Sequence, residues 1–182
     1  GGADTYHGYG LSWANASNTP FREYKHWVHE GGISSPLIAH WPKGIDVSRH
    51  GKLENQPGHL IDLMATCVDL GKASYPAKVG DTAIVPMQGT SLAAAFNGKD
   101  IGREMPIFWE HEGNRAMREG KWKLVAKGAN GPWELYDIEA DRTELNNLAE
   151  KESTRMNDMA GRWEKWALKA LAKPWPWGAK KV

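Results

Sequence analysis

The stretch from Thr19 to Pro42 constrains this chain more than any other, because it sets a Glu-Gly-Gly triplet between a charged segment and an apolar run bracketed by prolines. Two consecutive glycines suit a sharp turn, where they supply positive φ or room for a close backbone approach. Upstream, Thr19 reads as an N-cap and Pro20 as a first helical residue. Phe21, Tyr24 and Val28 follow at i, i+3 and i+7, so the pattern predicts a helix that Gly31 and Gly32 end. Downstream, Leu37, Ile38 and Ala39 between Pro36 and Pro42 predict a short buried strand. Lys25 would then sit on the helix, about one and a half turns ahead of the glycines.

Other segments punctuate more simply. Gly1 to Asn18 is rich in Gly, Ser, Asn and Thr without apolar periodicity and reads as a loop, with His7 solvated in it. A helix is predicted from His59 to Leu70, where Leu60, Leu63, Met64, Cys67 and Leu70 trace an apolar stripe and Gly71 supplies the stop. Cys67 on that stripe is expected in the core, and Asp62, off it, in local hydrogen bonds. Ser91 to Phe96 reads as one short helical piece closed by Asn97 and Gly98.

Past Arg103 the patterning changes. Pro106–Glu110, Arg115–Arg118, Trp122–Ala126 and Trp133–Asp137 are strand-like and separated by glycine-bearing turns, which predicts an antiparallel meander with a hairpin at Glu119 and Gly120. Met156, Ala160, Trp163, Ala167 and Ala170 trace a helical stripe from Ser153 onward that would cover the sheet. The tail Trp175-Pro176-Trp177 is expected to pack as an extended segment. Two domains are therefore expected, residues 1–103 and 104–182.

Charge excludes some functions. Lys and Arg number 23 against 22 Asp and Glu, a net +1, so no bulk field recruits nucleic acid or an anionic membrane, and neither is an expected partner. No run approaches the roughly 20 apolar residues of a bilayer span. A single cysteine forms no internal disulfide, and ten tryptophans call for an aromatic core or an aromatic-lined cleft. His26 and His29 lie three apart, but no third ligand is spaced near them and His-Glu-x-x-His is absent, so no metal ligands are expected in this chain. The segment from Trp109 to Arg115 gathers polar and aromatic groups around His111 in one hairpin loop.

Several of these stretches together resemble the sulfatase family. Lys25, Glu30, Gly31 and Gly32 followed by the run to Pro42 match its Lys-x-x-x-x-Glu-Gly-Gly pattern. Asp62 to Thr66 is similar to its Asp-Leu-x-x-Thr helix, Gly89 to Leu92 to its Gly-x-Ser-Leu turn, and Glu134 to Ala149 to its Glu-Leu-Tyr-Asp … Asn-Leu-Ala signature. The family's Cys-x-Pro-Ser-Arg segment is absent: Cys67 is followed by Val68, Asp69, Leu70 and Gly71. Its Asp-Asp and Asp-Asn-Gly metal motifs are absent too.

The resemblance therefore implies the C-terminal portion of an arylsulfatase, without the formylglycine-bearing N-terminal half. The implied fold is an α/β (alkaline phosphatase-like) fragment, whose Leu37–His40 strand joins a larger sheet, plus an α+β subdomain with a four-stranded antiparallel sheet and a long helix. The implied reaction cleaves a sulfate monoester to an alcohol or phenol plus sulfate. Calcium and formylglycine would come from the missing N-terminal region, the expected partner, so the isolated chain is expected to be inactive. Lys25 takes the family's sulfate-holding catalytic position. His111, Asn114 and Trp13, with Asn15 beside the last, are the implied substrate-binding residues. The family setting is periplasmic, secreted or lysosomal. Two alternatives stay open: a phosphate or phosphonate ester hydrolase of the same superfamily, and a non-catalytic module gripping sulfated glycans with tryptophans and Arg118, Lys121 and Lys123.

Overall fold

The structure, a computed structural model, describes residues 2–8 and 10–173. In chain order the elements are helices α1 (Gly10–Ser17) and α2 (Glu30–Ile33), a 3₁₀ turn Val47–Arg49, helix α3 (Leu60–Leu70), strands β1 (Lys78–Val79) and β2 (Thr82–Ala83), and a 3₁₀ turn Ala93–Asn97. Strands β3 (Ile107–His111), β4 (Asn114–Glu119), β5 (Trp122–Ala126) and β6 (Glu134–Asp137) and helix α4 (Ser153–Lys169) follow. They pack as two compact units, Gly1–Pro36 with Pro106–Val182 and, separately, Leu37–Met105. The junction at Met105 and Pro106 lies close to where the sequence patterning changes. The residues before Leu37 go with the sheet.

In the first unit, β3 to β6 form a four-stranded antiparallel sheet in sequence order. Strand alternation gives it two covered faces. Met117, Leu124 and Leu135 point to one, where Met159, Trp163 and Ala167 of α4 pack against them. The spacing of those three helical residues puts them on one stripe, and Trp163, fully buried, donates its indole N–H to the carbonyl of Trp109 at 3.1 Å. Phe108 stacks on Trp166 at 5.0 Å between centroids. The other face carries Ala116, Val125 and Tyr136, covered by Val28 and Ile138. The predicted hairpin is present, with Glu119 opposite Trp122 and Gly120 at φ 55°, the conformation such a turn asks of a glycine.

The helix expected over 20–30 does not form. Glu23 and His26 have φ of 67° and 117°, incompatible with a helix, and only Glu30–Ile33 is helical. Distant partners decide this: Arg22, His29 and Glu30 each bond to groups beyond residue 122, and those contacts override a weak local pattern. The two glycines are required for space, since neither has positive φ. A Cβ on Gly31 would stand 2.3 Å from the carbonyl oxygens of Arg22 and Glu23, and one on Gly32 would stand 2.0 Å from that of Trp27.

Other expectations fail for related reasons. Leu37 to Ala39 is not a strand, and Leu37 and Ile38 are 63% and 89% exposed. A strand needs a neighbour for its backbone groups, and among the described residues none pairs with it. Gly10–Ser17, expected as loop, is a helix without buried residues, in which Asn15 donates to the Leu11 carbonyl at 2.9 Å.

In the second unit, α3 starts with a capping box. His59 accepts from the Ile61 N–H at 3.4 Å, and Asp62 accepts from the His59 N–H at 2.6 Å. The expected inward stripe is reversed. Leu60, Met64 and Cys67 are exposed, whereas Asp62, Ala65 and Thr66 are buried. Polar bonding sets the orientation: Asp62 accepts the Thr90 N–H at 2.8 Å and pairs with Arg103, and the Thr66 hydroxyl accepts the Leu92 N–H at 2.8 Å. Gly89, at φ 94°, lets this turn approach, because a Cβ there would lie 2.5 Å from the Ile61 carbonyl oxygen. No helix among the described residues is long and apolar enough to cross a membrane. The tail Trp175-Pro176-Trp177 lies outside the described residues.

Candidate functional site

The segment from Arg22 to Ile33 lies on the sheet face that carries Trp109, Ala116 and Tyr136, and two buried networks fasten it there. In the first, the Lys123 ammonium, with no exposure, lies 2.8 Å from Glu30 and 2.8 Å from Glu144. Glu144 also accepts the backbone N–H of Glu30 at 2.8 Å. Burial works against the Glu30 charge. Lys123, with Arg118 and Arg142 adding to it, outweighs burial and holds the carboxyl below its ordinary range. In the second, the Tyr136 hydroxyl donates to Glu134 at 2.5 Å, His29 approaches the same oxygen at 3.4 Å, and Arg22 donates to Tyr136 at 3.1 Å and to the Glu144 carbonyl at 2.9 Å. Here too burial opposes ionisation, but the bonds from His29 and Tyr136 and the Arg22 charge bring Glu134 down to about 2. Burial, and then donation to Glu134, pushes Tyr136 up.

Above these networks the backbone rises into a loop that meets the β3–β4 hairpin. That hairpin turns through Glu112 and Gly113, both with positive φ (50° and 87°), as a two-residue primed turn demands, and Glu110 accepts the Gly113 N–H at 2.8 Å. Asn114, 1% exposed, donates to the His26 carbonyl at 2.9 Å and accepts the Gly128 N–H at 2.8 Å. This clamp brings the ring of His26 to 5.7 Å from that of His111 and 4.6 Å from that of Trp27, and places its Nδ1 2.9 Å from the Glu112 carboxylate. Between loop and hairpin lies a cavity of about 520 Å³ whose walls include Lys25, His26, Trp27, Trp109, His111 and Glu112. Lys25 is exposed. The acids nearest it in sequence are engaged elsewhere, Glu23 by Lys127 and Glu30 by Lys123. A cation is thus left at an aromatic-walled opening without a carboxylate of its own segment to neutralise it.

Residues 22–165 match the family model described as N-sulphoglucosamine sulphohydrolase, C-terminal. The chain belongs to the sulfatase family, as its C-terminal region. It is similar to an uncharacterised sulfatase of Schizosaccharomyces pombe, 29% identical over 161 residues, covering 85% of this chain and 28% of that protein. It is also similar to the choline-sulfatase of Rhizobium meliloti, 35% identical over 127 residues, covering 66% of this chain and 22% of that one. Among solved structures, that of Ps i-CgsB superposes on 82% of this chain and 32% of its own with a TM-score of 0.63 and 27% identity. It has also been solved in complex with k-i-k-neocarrahexaose. This chain spans about a third or less of the length of these relatives.

Of the sulfatase residues read from sequence, Lys25 and His111 share the cavity. Asn114 lies beside the hairpin turn, opposite His111, with both ends of its amide bonded to backbone, so it holds the His26 loop. Trp13, 70% exposed on α1, and Asn15 are not among the cavity residues. Of the basic residues weighed for a glycan grip, Lys123 is fully buried and Lys121 pairs with Asp137 at 2.7 Å. The structure adds His26, Trp27, Trp109 and Glu112, which the sequence reading does not place in the site. The signal for His26 is its position beside Lys25, obscured by a helical reading that sets His26 and His29 on one side; instead His29 is buried on Glu134 and His26 faces the cavity.

The donors here do not fit calcium, which takes roughly six to eight oxygen ligands, since the cavity cluster offers two imidazoles and one carboxylate. Cys67, on an exposed helix face and followed by Val68 and Asp69, does not fit a formylglycine position.

Proposed function

We propose that this chain forms one wall of the substrate site of a sulfuric ester hydrolase of the arylsulfatase type, in which Lys25 holds the sulfate. The observation that carries the reading is the Lys25 ammonium at the edge of the cavity while Glu23 and Glu30 are paired with other lysines. Hydrolysis of a sulfate monoester breaks the bond between sulfur and the bridging oxygen, and negative charge builds on that oxygen as the alcohol or phenol leaves. A fixed ammonium beside the group stabilises this charge more than the ground state. His111, with His26 and Trp27 beside it, would meet the alcohol portion, and Trp27 and Trp109 offer flat apolar surface to an aryl ring or a sugar face. Asn114 keeps the His26 loop in register with the hairpin, and Trp13 would contact substrate from α1. That a relative is named choline-sulfatase supports a sulfate ester carried on an organic alcohol.

On this reading the nucleophile and the calcium site lie in the part of a sulfatase that this chain does not cover, so the chain alone is inactive. The test compares 4-nitrophenyl sulfate hydrolysis, with calcium present, by this chain and by a polypeptide joining it to a sulfatase catalytic region. Nitrophenol release by the joined protein alone is expected. Release by this chain alone, abolished in Lys25→Ala, would overturn the division of labour.

A further inference from the structure

We propose that His26, His111 and Glu112 form a binding site for a transition-metal dication of the zinc class. One ligand atom from each of the three side chains lies within 4.8 Å of the others. Two imidazole nitrogens and one carboxylate oxygen are the donor set of zinc sites with three protein ligands, which leave a fourth position for water or a ligand oxygen. The cluster is assembled by the fold, from the loop at His26 and the hairpin at His111 and Glu112, and these are far apart in sequence.

The supporting backbone is already fixed. His26 at φ 117° and Glu112 at φ 50° occupy regions that residues with side chains rarely adopt, and such conformations persist only where their surroundings impose them. Here the Asn114 amide holds the His26 carbonyl at 2.9 Å, and Glu110 holds the Gly113 N–H at 2.8 Å. The His26 Nδ1 contact with Glu112 at 2.9 Å shows that loop and hairpin already bring ligand atoms together. Rotation of the three side chains on this backbone would bring ligand atoms that lie within 4.8 Å of one another onto one ion. The Glu110 and Glu112 carboxylates lie on the hairpin side of the cavity wall, where they supply the negative charge a dication needs, and the Lys25 ammonium lies on the loop side. His29, although closer in sequence to His26, takes no part, being buried on Glu134.

This site uses two of the side chains that the sulfate-ester reading places beside the alcohol portion, and it is tested without any enzymatic assay, so the two can fail separately. Zinc chloride is titrated into the full chain by calorimetry, cobalt chloride is followed by its visible ligand-field absorption, and thermal unfolding is recorded with and without zinc. The wild type is expected to bind one zinc per chain and to gain thermal stability from it by mass action. His26→Gln and His111→Gln, at partly or fully exposed side chains, should fold normally by circular dichroism and lose at least about tenfold in affinity, with Glu112→Gln losing a similar factor. Cys67→Ser, which removes the exposed thiol, should bind as the wild type does. The proposal is overturned if the wild type takes up no zinc, if His111→Gln binds within about twofold of the wild type, or if Cys67→Ser abolishes the uptake.

Discussion

The ammonium of Lys123 on β5 lies 2.8 Å from the carboxylate of Glu30, and both side chains are buried. A cation at the centre of a sheet thus ties down the residue that opens the glycine turn. With Glu144 on its other side, Lys123 is the buried cation between two buried carboxylates, and removing it takes the ammonium at 2.8 Å from Glu144 and leaves Glu30 with Arg142 at 3.6 Å. Losing one partner of a buried pair costs about 3–5 kcal/mol. Lys123→Met should lower the unfolding free energy by about that much in urea titrations and speed amide exchange over 22–33. A loss below about 1 kcal/mol would mean that the triad is only a tolerated arrangement.

Gly31 and Gly32 are expected to resist even alanine. The added Cβ would meet backbone oxygens at 2.3 and 2.0 Å, and backbone cannot swing aside as a flexible side chain does. Either substitution should destabilise by about 2–3 kcal/mol or more, on the scale of core overpacking. Gly161, in α4, is the contrasting case, because a Cβ added there would meet nothing within 4 Å. Gly161→Ala should stabilise by about 0.5–1 kcal/mol through helix propensity. Equal effects at the three positions in thermal denaturation would refute the close-approach explanation.

Where the sheet supplies its own pattern, the sequence is a sufficient guide. Alternation in Trp122, Leu124 and Ala126 and the glycines at 113 and 120 specify hairpins from local chemistry, and α4 follows from one stripe. Segments that depend on distant partners are not legible in this way. The path of residues 22–33 is set by Lys123, Glu134, Tyr136 and Glu144, which no local window contains. In α3, Asp62 and Thr66 carry the bonds to the 89–92 turn, and the apolar stripe with Cys67 is exposed in this chain, which spans about a third or less of its relatives' length. For the candidate site, Lys25 and His111 stand out by residue type and motif. That His26 and Glu112 join them depends on the Asn114 clamp, a tertiary contact.

Acid should probe the second buried network. Glu134, with an ordinary value of 4.5, is held at about 2 in the folded chain by its bonds to His29 and Tyr136 and by Arg22, against the opposing effect of burial. A depressed folded pKa contributes stability that is present above the unfolded value and is lost as pH falls through the folded one. The window is therefore pH 4.5 down to about 2. The stability gap between wild type and Glu134→Gln, followed by urea unfolding across this range, should narrow as pH falls. A gap that stayed constant would show that Glu134 titrates alike in both states.

Lys25 should matter to chemistry and not to folding. Its side chain is exposed, and the acids beside it in sequence serve Lys127 and Lys123, so its removal breaks no buried contact. If it holds sulfate in a complete sulfatase, deleting the charge forfeits transition-state stabilisation of about 3–4 kcal/mol, a factor of roughly 10²–10³ in rate. Lys25→Ala in such a protein should therefore lower kcat/KM toward an aryl sulfate by that factor while Tm moves by no more than a few degrees. Lys25→Arg should recover only part of the loss, since a planar guanidinium fills the cavity edge differently from a compact ammonium. Near-normal turnover in Lys25→Ala would leave Lys25 as a solvated surface lysine and shift the search for the sulfate-holding cation to another part of the enzyme.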